Sequence, residues 1–162
     1  MNKLHLIFAA GAAAALSACA PVISGTEPLG LSPALAASSH VGVVRMSSDW
    51  VRAEEDFTDT FTDSVLENLR ECARGPNRLD VNIHVFKVRR EGRLQSLFQG
   101  GGEHELNAVA ELIEPGSKRV VGRYPIHVVV DAGGPAEILL ADRQLMVSDA
   151  FATELCRQAF AR

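Results

Sequence analysis

The chemically able side chains of this 162-residue chain are few and scattered. Imidazole and carboxylate come closest around His104, which stands between Glu103 and Glu105, with His127 on a later segment. A metal-dependent hydrolytic site would have to be built from His104, His127 and Glu105, because neutral imidazole and carboxylate both bind zinc. No pair among His40, His84, His104 and His127 has the tight spacing of a metal motif, so exposed sheet-face residues are the simpler reading. The serines lack the Gly-x-Ser-x-Gly elbow that presents a nucleophile. Gly100-Gly101-Gly102 lacks the following Lys-Ser/Thr of a phosphate-binding loop. We therefore assign no catalytic residue, no metal and no cofactor.

Cys72 and Cys156 leave two readings open. In an exported, oxidising setting they are permitted to form a disulfide. Two small apolar side chains packed independently is the simpler expectation. A reactive thiol would want a neighbouring base or a helix N-terminus, and neither is visible.

The third cysteine has a more specific context. Lys3 gives the chain a basic start, and Leu4 to Leu16 is almost unbroken apolar sequence. Such a run falls short of the ~20 residues that span a bilayer and has the flanks of a signal-peptide core. It closes in Leu16-Ser17-Ala18-Cys19, which resembles the lipobox of bacterial lipoproteins. That resemblance implies removal of residues 1–18 and a diacylglyceryl thioether on Cys19. In enterobacterial lipoproteins an aspartate after the cysteine retains the protein in the inner membrane. Here the position is Ala20, so the resemblance implies the outer membrane, with the domain facing the periplasm.

Without the leader, 15 Lys+Arg stand against 20 Asp+Glu. An acidic balance lacks the basic surplus that nucleic-acid binding requires. Residues 19–39, with Pro21, Pro28, Pro33 and several glycines and serines, read as the lipidated cysteine and a flexible tether. Residues 40–162 are one domain's worth of chain.

The elements that must position any site follow from periodicity. His40 to Met46 is β-branched-rich and reads as a buried strand. Phe57, Phe61, Val65, Leu69 and Cys72 form one stripe of a helix from about 51 to 72, stopped by Gly75-Pro76. Leu79, Val81, Ile83 and Val85 alternate with Asp80, Asn82 and His84, a half-buried strand. A loop from 91 to 102 follows. Its Leu94, Leu97 and Phe98 either fold back over the core edge or form a small apolar patch for a partner.

Two further strands meet in a hairpin around Pro115-Gly116-Ser117. The expected register pairs Leu112 with Val120, Ala108 with Tyr124 and Leu106 with Ile126. It sets His127 across from Glu105 and leaves one face wet, because a slip by one would bury Arg119 and Arg123. Val147, Phe151, Leu155 and Ala159 mark a last helix over 142–160. The expected architecture is α+β: a two-layer β-α-β-β-β-α sandwich, with a mostly antiparallel four-stranded sheet and two helices on one face.

A lipobox, a Pro/Ser tether and this element order resemble a broad set of small proteobacterial lipoproteins. The helix 57–72, the strand 80–86, Gly100-Gly101-Gly102 leading into 103–112, and the closing helix around Phe151 and Leu155 fit that set. The layout is also similar to the periplasmic domains of LpoB-type and CsgG-type lipoproteins. The resemblance implies a non-enzymatic module of the cell envelope, held to the membrane by its N-terminal lipid and binding an envelope protein. The alternatives are a metal-dependent enzyme on the His104/His127/Glu105 face and an accessory lipoprotein of a lipid transporter.

Overall fold

Ser32 begins the first helix. The computed structural model describes residues 27–48, 55–90, 103–131 and 143–161. In it the Ser32 hydroxyl accepts a hydrogen bond from the Leu35 amide, and Pro33 takes the first helical position. Both are strong N-terminal signals, a capping hydroxyl and a φ already fixed near its helical value. Helix α1 (Pro33–Ser38) runs straight into β1 (Ser39–Ser48). The expected tether therefore carries a helix over 33–38, and Ser39 is buried in the sheet. Residues 19–26 lie outside the described residues.

After β1 come α2 (Glu55–Cys72), β2 (Asn77–Arg90), β3 (Glu103–Ile113), β4 (Val120–Asp131) and α3 (Arg143–Ala159). The sheet order is β1-β2-β3-β4. The β1–β2 pair is parallel, and the other two pairs are antiparallel. The sheet is thus mixed. A helix between two adjacent strands carries the chain back to where it started, so those strands must run the same way. The described residues form three helices, α1 being the one the periodicity did not mark.

Helices α2 and α3 bury their stripes against one face of the sheet. Phe57, Phe61, Val65 and Leu69 of α2 meet Val147, Phe151, Leu155 and Ala159 of α3 over Leu79, Val81, Ile83, Leu106, Ala110 and Leu112. The Phe61 and Phe151 rings lie 5.4 Å apart, with Phe57 5.5 Å from Phe61. Each such ring contributes roughly 2–3 kcal/mol by leaving water. At the end of α2, Cys72 is disulfide-bonded to Cys156 of α3, with Cα atoms 6.0 Å apart. Of the two readings open in the sequence, independent packing is therefore excluded. No helix among the described residues is long and apolar enough to cross a membrane.

The β3–β4 register differs from the expected one by two residues. Leu112 pairs with Gly122, Ala108 with Ile126 and Leu106 with Val128. One residue of the difference lies in the turn. Glu114 and Arg119 close a four-residue loop, with the Glu114 amide donating to the Arg119 carbonyl at 3.0 Å. The second lies at Val121, an extra residue between the Ile113–Val120 and Leu112–Gly122 pairs. Each insertion alone would turn the strand over, and together they restore the apolar face.

Lys118 absorbs the strain of that loop, at φ 58°. A side chain in this left-handed region costs about 1–2 kcal/mol that glycine avoids. Lys118→Gly is expected to raise stability by about 0.5–1 kcal/mol, net of glycine's greater freedom when unfolded. Urea titration reads this as a higher midpoint at unchanged slope.

Gly75 does more than stop α2. Its amide donates to the Ser39 carbonyl at 2.8 Å, and a Cβ there would lie 2.0–2.3 Å from the Ser38–Ser39 backbone. Backbone cannot swing aside as a side-chain tip can. Gly75→Ala is expected to cost about 2–3 kcal/mol, measured by thermal or urea unfolding.

Candidate functional site

Among the described residues no helix of the core covers the second face of the sheet, and the structure divides that face in two. Near the hairpin end the polar side chains are buried, contrary to the expectation of a wet face. Glu111 is 2% exposed and faces Arg123 directly across β3 and β4. The Arg123 Nε donates to Glu111 Oε1 at 2.8 Å. Asp80 accepts from Arg78 Nε at 2.9 Å and from Arg45 Nη1 at 3.5 Å. Arg78 reaches it across Gly42, where a Cβ would strike the arginine side chain. Beside them Asn82 is buried, its Oδ1 without a hydrogen-bond partner. Long arginine stems thus lie over short carboxylates, covering the face with apolar methylenes while pairing each charge.

Toward the other end the described residues leave the face open. Glu105 accepts from Lys87 Nζ at 2.8 and 3.0 Å and from Asn107 Nδ2 at 2.9 Å. The Lys87 hydrogen bonds foremost, then the Asn107 amide, hold the Glu105 carboxyl below the usual carboxylate range. The two-residue register difference sets His127 opposite Asn107, leaving its Nε2 3.5 Å diagonally from Glu105 Oε1. A carboxylate engaged by lysine and amide is a poor general base, since its acceptor sites are taken and its basicity is lowered. Nearby, Ser47 Oγ lies 3.0 Å from His84 Nδ1, and the His84 ring packs edge-on against Phe86.

The trio His104, His127 and Glu105 is not assembled. His104 alternates with Glu105, so it shares the helix-side face with Leu106 and is buried. Glu105 and His127 lie on the opposite face. Among the described residues no group of three or more His, Cys, Asp or Glu is placed to hold a metal. Leu94, Leu97, Phe98 and Cys19 lie outside the described residues.

One feature of this side escaped the sequence reading. Residues 27–31 form a strap on the outer edge of β4. Leu29 and Arg123 exchange both backbone hydrogen bonds, at 2.9 and 2.7 Å. Arg123 Nη1 donates to the Glu27 carbonyl at 3.4 Å. The Tyr124 hydroxyl accepts from the Leu31 amide at 2.6 Å. Burial pushes the Tyr124 phenol above its ordinary pKa, and this hydrogen bond partly offsets it. The strap satisfies part of an edge that would otherwise invite a foreign strand. The available signal was the alternation of Leu29 and Leu31 within a Pro/Gly-rich run.

The same fold has been seen before. In the PelC dodecamer from Paraburkholderia phytofirmans it gives a TM-score of 0.55 at 16% identity, covering 82% of this chain and 96% of that one. A point variant of PelC in a second crystal form gives 0.54 at 18% identity, covering 82% and 95%. A DUF330 protein of Xanthomonas campestris gives 0.48 at 14%, covering 73% and 80%. No protein-family model and no curated protein sequence matches the chain. At these identities the likeness to PelC is one of fold, and it does not single out the LpoB or CsgG type.

Proposed function

We propose that the chain is a bacterial lipoprotein, anchored by acyl chains on Cys19, whose domain acts by binding and assembly and not by catalysis. The observation that carries this reading is the sequence Leu16-Ser17-Ala18-Cys19 behind an apolar leader, with Ala20 favouring the outer membrane and a periplasmic domain. The strap supports it by holding the chain to the domain from Glu27 onward. Assembly is the part of the reading supported by PelC, whose crystallised form is a dodecamer of this fold.

The partner is an envelope protein or further copies of the chain. Its proposed contacts are Leu94, Leu97 and Phe98 and the exposed sheet face around Lys87, Glu105 and His127. Intact-mass analysis of the mature protein should give a chain beginning at Cys19 and carrying acyl mass. Cys19→Ala should release the protein from membranes. An unmodified N-terminus on a protein that washes off with salt would overturn the proposal. Pulldown from membranes, with and without residues 95–101, tests the contact surface.

A further inference from the structure

We infer that the strap fixes how the domain stands on its own membrane, turning the open end of the sheet toward the lipid surface. This rests on the lipid-anchor reading above. Strands β1, β2 and β4 run in one direction and β3 in the other. The C-terminal ends of β1, β2 and β4 therefore share one end of the sheet with the N-terminal end of β3. The strap pairs antiparallel to β4 at Leu29–Arg123. Followed back from Leu29 to Glu27, the chain heads toward that same end.

Length makes the heading matter. Eight links join Cys19 to Glu27, which reach about 27 Å at full extension and average about 16 Å when flexible. Glu27 lies level with Pro125, roughly 20 Å short of the end of β4 at about 3.4 Å per residue. The anchor thus reaches the plane of that end with little to spare. To bring the hairpin end to the bilayer, the same links would have to turn back along the strap.

The two ends also differ in surface. Three of the exposed large hydrophobic side chains lie toward the end the strap faces. Phe86 lies beyond Val85, the partner of the last β1 residue. Val129 is near the end of β4, and Leu145 sits in the first turn of α3. At the hairpin end the exposed residues include Arg74, Asn77, Arg78, Ser117, Lys118 and Arg119. Exposed apolar side chains beside the charged Lys87, Glu105 and His127 suit the headgroup boundary, and a hairpin end poorer in them favours water.

The test uses the full acylated chain in vesicles of phosphatidylethanolamine and phosphatidylglycerol whose acyl chains carry bromine as a quencher. A fluorescent non-canonical residue replaces Val129 in one sample and Ser117 in another. The expected result is loss of fluorescence at position 129 and none at 117. Equal quenching, or quenching at 117 alone, overturns the orientation while leaving the anchor intact. Protein without acyl mass that fails to float with the vesicles overturns the anchor itself. Leu29→Pro removes the amide that bonds Arg123 and lengthens the free tether. Its expected effect is to diminish the difference between the two labels, and an undiminished difference overturns the strap's role.

Discussion

Reduction of the Cys72–Cys156 bond is expected to lower the stability of the domain by about 4.5 kcal/mol, from the chain entropy of a loop this long. The two cysteines are 84 residues apart in sequence. That loop contains β2, β3, β4 and nearly all of α3, so closing it restricts most of the unfolded chain. In the native state the bond joins the C-terminal end of α2 to α3, already packed through Phe61 and Phe151. Its effect therefore falls mainly on the unfolded ensemble. Urea unfolding of the oxidised protein and of Cys72→Ala/Cys156→Ala should show well-separated midpoints. At a slope of about 1.5 kcal/mol per molar urea, the gap is about 3 M. Coincident midpoints would rule out the entropic contribution. Exported as proposed, the chain would gain this stability only after translocation, because the cytosol keeps thiols reduced.

The fold was largely legible where periodicity speaks, and less so where single residues decide. Spacings of four at Phe57–Leu69 and Val147–Ala159 mark both large helices, and alternation at Leu79–Val85 marks β2. The parallel β1–β2 pair was implied by the strand-helix-strand order, but burial pattern alone carries no strand direction. The hairpin shows why parity survives when register does not. The apolar face constrains a strand only to even shifts, so the longer loop and the bulge at Val121 left it unchanged. What those two insertions did change was the polar face, moving His127 from opposite Glu105 to opposite Asn107. The metal trio failed on alternation: adjacent residues on a strand face opposite ways, so His104 and Glu105 were never on one face. Ser32-Pro33 read as a chain breaker because proline breaks helices in their interior, yet after a capping serine it starts one.

Glu111→Ala is expected to destabilise the domain by about 3 kcal/mol, because removing one member of a buried pair strands the other. Arg123 is 14% exposed in its side chain and Glu111 3%, so neither charge can turn fully to water. The arginine has a second duty: its backbone pairs with Leu29 and its Nη1 reaches the Glu27 carbonyl. Losing Glu111 should therefore also loosen the strap, seen as faster amide exchange at Leu29 and Leu31. Arg123→Ala should cost as much or more, since it leaves a buried carboxylate. Replacing both together, as Glu111→Leu with Arg123→Met, should restore most of the stability, because well-packed apolar residues often equal a buried ion pair. The strap would still lose its contact from Arg123 Nη1 in that double variant. Stability and strap protection should then separate, with unfolding midpoints recovering while exchange at Leu29 stays fast. If the two recover together, the arginine holds the strap through the backbone alone. If Glu111→Ala costs less than about 1 kcal/mol, the range of an exposed pair, the burial argument fails.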